Sequence, residues 1–178
     1  QRILARSNPE ELLYSDGETH YFQGMRYVLK IKEVPGRGFV RTAGDDVMEM
    51  GLRPGTSKEK RQKALERFYR RELEKAAAEV AVKWEKKTGV KAGGITVRKM
   101  KSRWGSYRIR DRMITLNLEL AKKPPECLEY VVVHELLHYY TRFHDAGFKS
   151  RLGKLLPGWK RLKEKLNSFP AGHMDWEC

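Results

Sequence analysis

Apolar and polar residues alternate differently along the two parts of the chain. In residues 19–50, short apolar or alternating runs are separated by glycines, with a turn at Gln23 and Gly24. This pattern is typical of short strands joined by tight turns and predicts an antiparallel meander. The segment RPGTS (53–57) ends this part, and Ser57 is a suitable N-cap for a helix.

One long helix is predicted from Lys58 to Lys87. Its apolar residues recur at steps of three and four, which places them on one face of a helix. These residues are Leu65, Tyr69, Leu73, Ala76, Val80 and Trp84. The segment TGVKAGG ends this helix.

Shorter elements are predicted after the long helix. Two strands, 95–100 and 113–120, flank the basic segment KSRWGSYRIRDR. The prolines of KKPPE begin a helix that we predict from Pro125 to Tyr140, since proline is tolerated in a first turn. Asp145 is a suitable cap for a further helix. The predicted helices after this cap are Ala146–Leu156 and PGWKRLKEKLN (157–167).

Composition limits the classes of protein to consider. A chain of 178 residues fits one ordinary domain with a core. No apolar run of about 18 residues occurs, so no membrane association is predicted. No signal peptide follows Gln1, and this residue indicates a truncated start. Two cysteines, Cys127 and Cys178, cannot form a disulfide framework, which favours a cytoplasmic location.

The charge is strongly positive and uneven. The net charge is +14, and residues 98–112 contain seven basic side chains and one acidic side chain. Such a field attracts nucleic acid, nucleotides or acidic proteins. A solvated basic surface without a dedicated partner is the alternative.

The stretch EYVVVHELLHYYTRFHDAGF (129–148) carries the candidate chemistry. His134 and His138 are four residues apart, so on a helix they share a face and both reach one metal ion. The flanking residues are apolar nearly all round, which predicts a buried helix. Buried, unsatisfied histidine and glutamate would cost on the order of several kcal/mol, and a divalent cation removes that cost.

Glu135 and His144 complete this candidate site. Glu135 follows the first histidine, where its carboxylate is placed to act as a general base. This is the His-Glu-x-x-His pattern of zinc hydrolases. His144, six residues after His138, is the best third ligand. We expect Zn²⁺ as the cofactor, and another divalent transition metal could occupy the same place.

Other residues of the chain could also supply a third ligand. Glu164 lies among lysines and arginines that favour a solvent-exposed ion pair, Asp145 is better placed as a cap, and His20 is expected on a strand surface. The chain end offers further donors, but termini usually fray. These donors are His173, Asp175, Glu177 and Cys178.

The metzincin class has the same gap to a third histidine. Its members place a glycine three residues after the second histidine and a methionine turn below the metal. Here Thr141 occupies the glycine position, and the only later methionine is Met174. These departures exclude the metzincin class.

The segment SRWGSYRIRDRMITLNLELAKKPPECLEYVVVHELLHYYTRFHDAGF resembles the YgjP-like family of zinc metallopeptidases and, more distantly, SprT-like proteases. The resemblance covers roughly residues 95–160. Tyr107 stands where the family usually has cysteine, which puts any role of that cysteine in doubt. The matching residues are Arg103, Trp104, Gly105, Ser106, Asn117, Pro124, Pro125, His134, Glu135, His138, His144 and Phe148.

The stretch RWGSY supplies the candidate substrate-binding residues. If it is an edge strand beside the metal cleft, it can hold an extended peptide through backbone hydrogen bonds. Alternatively, Trp104 belongs to the core and Gly105 lets a helix pack closely. The candidate substrate-binding set is Arg103, Trp104, Gly105, Ser106 and Tyr107. Arg103 could clamp a phosphate or a carboxylate, and Tyr107, Tyr139 and Tyr140 are candidate oxyanion stabilisers.

Together, the pattern and the resemblance predict an α+β fold. A small antiparallel sheet would pack on a helical, zincin-like core with a central His-Glu-x-x-His helix. An N-terminal β segment (1–54) and a catalytic region (55–178) would form one compact unit.

The leading functional hypothesis is a zinc metallopeptidase acting on peptides or proteins. One alternative is a nucleotide phosphohydrolase that uses the same site. A second alternative is a nucleic-acid-associated module with secondary protease activity. The oligomeric state is left open.

Overall fold

The structure is a computed structural model that describes residues 12–168. Strands and helices alternate irregularly along this part of the chain, which confirms the predicted α+β class. The strands are β1 (Thr19–Phe22), β2 (Met25–Glu33), β3 (Phe39–Ala43), β4 (Val47–Leu52), β5 (Gly94–Arg98), β6 (Gly105–Arg108) and β7 (Met113–Asn117). The helices are α1 (Lys58–Thr88), the 3-10 helix η1 (Leu118–Lys122), α2 (Pro125–Leu137), α3 (Ala146–Leu155) and α4 (Trp159–Ser168).

The N-terminal strands form a mixed sheet in the order β1-β2-β4-β3. Strand β4 is antiparallel to β3 but parallel to β2, where Leu29 lies opposite Met48. The predicted antiparallel meander is therefore wrong for the β2–β4 pair. Met48 and Met50 of β4 are fully buried. An interior position between β2 and β3 suits such an apolar strand better than an edge would.

The second sheet is also mixed and has the order β5-β7-β6. Strand β5 is parallel to β7, whereas β6 is antiparallel to it, with Ser106 opposite Thr115. Strand β6 therefore lies at an edge of this sheet, which was one of the two alternatives for RWGSY. The prediction that the sheet is purely antiparallel is wrong here too.

Helix α1 begins at the predicted residue and ends one residue later than expected. Four of its predicted stripe residues are buried, but Ala76 and Val80 are partly exposed. Ala77 and Ala81 are buried in their place. These two alanines lie four and eight residues after Leu73, so the buried face follows the four-residue step there.

Helix α2 ends at Leu137, three residues earlier than predicted. The next three amide groups donate to carbonyls only three residues back. They are His138 to Glu135, Tyr139 to Leu136 and Tyr140 to Leu137, at 3.0–3.2 Å. These bonds tighten the last turn, so the chain leaves the helix before Tyr140.

The predicted burial of α2 and the cap of α3 are both confirmed. Ten of the thirteen residues of α2 are buried. Asp145 caps α3, because its carboxylate accepts a hydrogen bond from the backbone N–H of Phe148 at 2.7 Å. The N-terminal half of α3 is thereby fixed next to the end of α2.

The described chain divides into two compact units, residues 12–20 with 27–65, and residues 21–26 with 66–168. The second unit contains the whole candidate site. The predicted boundary after residue 54, and the single compact unit, stay predictions. Within residues 12–168, no helix is both long and apolar enough to cross a membrane.

Candidate metal centre

Three imidazole nitrogens converge at one point. The Nε2 atom of His134 lies 3.2 Å from Nε2 of His138 and 2.9 Å from Nε2 of His144. The remaining pair, His138 and His144, is 3.2 Å apart. The structure thus brings together the three ligands that the sequence predicted.

The geometry of these nitrogens fits a metal ion. A four-coordinate zinc ion holds imidazole nitrogens at about 2.0–2.1 Å, which places tetrahedral ligands about 3.3 Å apart. Nδ1 of His138 lies 3.0 Å from the carbonyl oxygen of Thr141. If Nδ1 donates its proton to that carbonyl, Nε2 presents a lone pair to the centre of the cluster.

Burial prepares the three histidines to act as ligands. Desolvation is the main cause that lowers the pKa of each imidazole, most strongly for His134, and the neighbouring histidines lower the pKa of His134 and His144 further. His134 is fully buried. Neutral imidazole is the form that binds a metal, so the low pKa values favour this form near neutral pH.

Local structure fixes the return of the chain from His138 to His144. The hydroxyl group of Tyr140 donates to the carbonyl of Thr88 at 2.8 Å, which anchors the segment after α2. The backbone N–H of Phe143 then donates to Oγ1 of Thr141 at 3.2 Å. His144 follows this turn and directly precedes the cap of α3.

Phe148 packs against all three histidine rings. Its ring centroid lies 4.9 Å from that of His134, 5.1 Å from that of His138 and 4.9 Å from that of His144. Phe148 is 1% exposed. Its ring limits the orientations of the imidazoles and keeps one side of the cluster apolar, and the sequence had matched this aromatic through the family resemblance alone.

Glu135 lies beside the cluster. Its side chain is 2% exposed, and burial raises its pKa to about 8, while the charge of Arg103 acts in the opposite direction. A Cβ atom at Gly105 would lie only 2.6 Å from Oε1 of Glu135. The absence of a side chain at Gly105 therefore makes room for the carboxylate of Glu135.

Strand β6 is held beside the cluster by Asn117, at the end of β7. The side-chain amide of Asn117 donates to the carbonyls of Met100 and Arg103 at 3.0 and 2.8 Å. Its backbone N–H donates to the carbonyl of Trp104 at 2.9 Å. These bonds fix the segment that leads into β6 and so position Gly105 against Glu135.

A cleft of about 720 Å³ connects the histidines, Glu135 and strand β6. Four of the five predicted substrate-binding residues line it: Arg103, Gly105, Ser106 and Tyr107. Trp104 does not line the cleft and is fully buried. Its indole N–H lies 3.4 Å from Oδ1 of Asn167, so Trp104 contributes to the packing beneath the strand.

The three tyrosines that are candidate oxyanion stabilisers differ in their position relative to the cleft. Tyr107 lines the cleft, whereas Tyr139 and Tyr140 do not. The hydroxyl group of Tyr107 is buried and has no hydrogen-bond partner within residues 12–168. Desolvation raises its pKa, so this hydroxyl stays protonated.

Several residues that line the cleft were not predicted from the sequence. Arg142 lies in the loop between His138 and His144, and Ile109 follows β6. The signal for Arg142 in the sequence is its position between two predicted ligands, which keeps it close to the predicted site. The other lining residues outside the predicted set are Ser102, Arg108 and Arg110, all within the basic segment 98–112.

The alternative ligands lie apart from the histidine cluster in the described residues. Asp145 caps α3, and Glu164 is exposed on α4. His20 is not on the surface as expected but is 4% exposed and pairs with Glu18 at 2.8 Å. The C-terminal candidates lie outside the described residues, as does Met174 of the metzincin comparison. These candidates are His173, Asp175, Glu177 and Cys178.

Comparison with solved structures finds a similar fold in a metallopeptidase. The crystal structure of the metallopeptidase zymogen of Pyrococcus abyssi abylysin is 19% identical, with a TM-score of 0.50 over 55% of this chain and 98% of that chain. No curated protein matches the chain.

The chain also matches a family model over most of its length. The model of the YgjP-like metallopeptidase domain matches residues 1–169. This match agrees with the histidine cluster found in the structure. Because the match spans nearly the whole chain, the protein belongs to the YgjP-like metallopeptidase family and is a metal-dependent hydrolase.

Proposed function

We propose that the chain is a zinc-dependent peptidase in which His134, His138 and His144 bind the metal and Glu135 is the general base. The observation that carries this proposal is the convergence of three Nε2 atoms within 3.2 Å of one another, beside a buried carboxylate that lines the same cleft. Nitrogen donors in this arrangement favour zinc, and another divalent transition metal could substitute.

When bound, zinc lowers the pKa of a coordinated water to about 7 and polarises a carbonyl group. Glu135 takes a proton from the attacking water and passes it to the leaving amine. Burial raises the pKa of Glu135 to about 8, and the positive charge of a bound metal ion would lower it again, towards the range in which a carboxylate accepts a proton near neutral pH. The low pKa values of the histidines keep them available as ligands rather than as acids.

Strand β6 positions the peptide. It is an edge strand that lines the cleft, and an edge strand offers backbone N–H and C=O groups to an extended chain. The hydroxyl group of Tyr107, which has no partner in the described residues, is the candidate donor to the oxyanion. The peptide would thus be held along β6 with its scissile carbonyl near Glu135.

A second candidate function is phosphohydrolysis of nucleotides at the same site. The arginines that line the cleft favour it, because guanidinium groups bind phosphates well. A third is association with nucleic acid through the basic surface, with proteolysis as a secondary activity. We also propose a cytoplasmic location, in keeping with the free, buried Cys127.

One set of assays distinguishes these functions. The zinc-loaded wild type and the variant Glu135→Gln are assayed with denatured proteins and with nucleoside triphosphates. We expect peptide cleavage by the wild type only. Phosphate release that the substitution abolishes, without any peptide cleavage, would contradict the peptidase. DNA affinity that falls with added salt would support the third candidate, and affinity independent of salt would contradict it.

A further inference from the structure

The charge of the cleft is strongly one-sided. Four arginines line it, and Glu135 is the only acidic residue among its lining residues. Arg108 is neutralised, because its guanidinium donates to both carboxylate oxygens of Asp111 at 2.7 and 2.6 Å. The other three arginines form no ion pair within residues 12–168 and are exposed. They are Arg103, Arg110 and Arg142.

Two of these arginines flank, in the sequence, the residue of β6 that contacts Glu135. Gly105, at the start of β6, packs against Glu135. Arg103 comes two residues before it, and Arg110 comes five residues after it, just beyond the strand. A strand rises about 3.3 Å per residue and β6 ends at Arg108, so the strand extends on the order of 10 Å beyond this contact before the turn that contains Arg110. Arg142 adds a charge from the loop between two metal ligands.

The neighbouring surface favours a polypeptide over a nucleic acid. Strand β6 offers backbone hydrogen bonds, which extended peptides can use. Proteins that bind single-stranded nucleic acids commonly offer several exposed aromatic faces on which the bases stack. Apart from the histidines, Tyr107 is the only aromatic residue that lines the cleft, and it is only partly exposed. Ile109, which also lines the cleft, is an apolar side chain with 41% exposure.

We propose that the cleft selects acidic polypeptide segments, with Asp or Glu side chains on both sides of the scissile bond. Arg103 binds a carboxylate on one side, Arg110 binds a carboxylate on the other, and Arg142 reinforces the selection. Each guanidinium forms charge-assisted hydrogen bonds to a substrate carboxylate. This inference rests on the proposed peptidase function and names its substrate class.

The test uses peptides of one length and one central sequence, flanked by Asp/Glu, Asn/Gln or Lys residues. Binding to the zinc-loaded, full-length Glu135→Gln variant is measured by fluorescence anisotropy, and cleavage is measured with the wild type. We expect the acidic peptide to bind about tenfold more tightly than the neutral one, because several charge-assisted contacts form. This preference should weaken with added salt.

Two variants in the cleft and one control outside it show whether the arginines of the cleft cause this preference. Arg110→Gln and Arg142→Gln, each combined with Glu135→Gln, should reduce the acidic-to-neutral binding ratio about three- to fivefold. Arg67→Gln removes the same charge from an exposed position on α1, outside the cleft lining, and should keep the ratio. If Arg67→Gln lowers the acidic-to-neutral binding ratio as much as the cleft variants do, the inference is contradicted.

The remaining outcomes distinguish the inference from the proposed function. Equal binding of acidic and neutral peptides would overturn the inference, even if both are cleaved. Tighter binding of a single-stranded oligonucleotide of equal charge, weakened by the same two variants, would also overturn it. Selective binding of the acidic peptide without cleavage of any peptide would support the selection and contradict the peptidase.

Discussion

The carboxylate of Glu135 occupies the space that a side chain at Gly105 would need. A Cβ atom at Gly105 would lie 2.6 Å from Oε1 and 2.9 Å from Cγ of Glu135. Contacts this short do not occur in folded proteins, so either β6 or the carboxylate would have to move. The glycine therefore links the position of the proposed general base to the strand that lines the cleft.

Gly105→Ala is expected to lower kcat/KM for peptide cleavage by about 10²-fold, since small misplacements of a catalytic group have large effects. Zinc content should stay at the wild-type level, because the three atoms nearest to an added Cβ all belong to Glu135 and none to a histidine. Gly153→Ala on α3 is the control, as its added Cβ would make only an ordinary contact, 3.7 Å from Trp159. Full activity of Gly105→Ala would show that the carboxylate is not positioned by this contact.

His144→Ala should weaken zinc binding by at least about 100-fold, because the loss of even an outer-shell partner costs ten- to a hundredfold. Competition with a chelator measures this affinity. His173→Ala, which removes the alternative ligand near the chain end, should bind zinc as the wild type does. The opposite ranking of the two variants would replace His144 as the third ligand.

Tyr107→Phe is expected to lower kcat by about 10²-fold with little change in KM, because an oxyanion donor acts mainly in the transition state. Tyr139→Phe is the matched control, since Tyr139 does not line the cleft. Steady-state kinetics on one peptide distinguish the two. An unchanged kcat for Tyr107→Phe would remove this tyrosine from the mechanism.

The buried side chain of Lys123 is expected to make the stability of the protein depend on pH. It is 1% exposed, its ammonium group donates to the carbonyl of Leu166 at 2.9 Å, and burial lowers its pKa from 10.5 to about 8. Between these two pH values the unfolded state binds more protons than the folded state. The free energy of unfolding should therefore rise with pH, by up to about 2–3 kcal/mol near pH 10.

Urea unfolding of the wild type and of Lys123→Met tests this dependence. The difference in free energy of unfolding should be constant below about pH 8 and then change in favour of the wild type up to about pH 10. Lys160→Met, at an exposed position on α4, shows the effect of removing a lysine at the surface. A difference for Lys123→Met that stays constant to pH 10 would contradict the lowered pKa.

The histidine cluster could be predicted from the sequence because its three residues lie close together in the chain. His134 and His138 share a helix face at a spacing of four, and the short return loop allows His144 to reach them. The same locality predicted the cap at Asp145. The burial of α2 followed from its apolar residues on all sides.

Long-range pairing could not be predicted in the same way. Nothing in the spacing of residues 19–50 shows that β4 lies between β2 and β3, because that order depends on which strand is buried on both faces. The end of α2 at Leu137 depends on three short-range hydrogen bonds that periodicity does not reveal. The contact of Gly105 with Glu135 joins residues thirty positions apart.

The most direct test of the account is the rate of peptide-bond cleavage by zinc-loaded wild type and by Glu135→Gln, with the zinc content of both measured in the same samples. We expect one zinc ion per chain in both proteins and a rate at least about 10²-fold lower in the variant, because general acid–base catalysis contributes at least this factor. Equal cleavage rates at equal zinc content would contradict the role of Glu135. Absence of cleavage by the zinc-loaded wild type would contradict the peptidase itself.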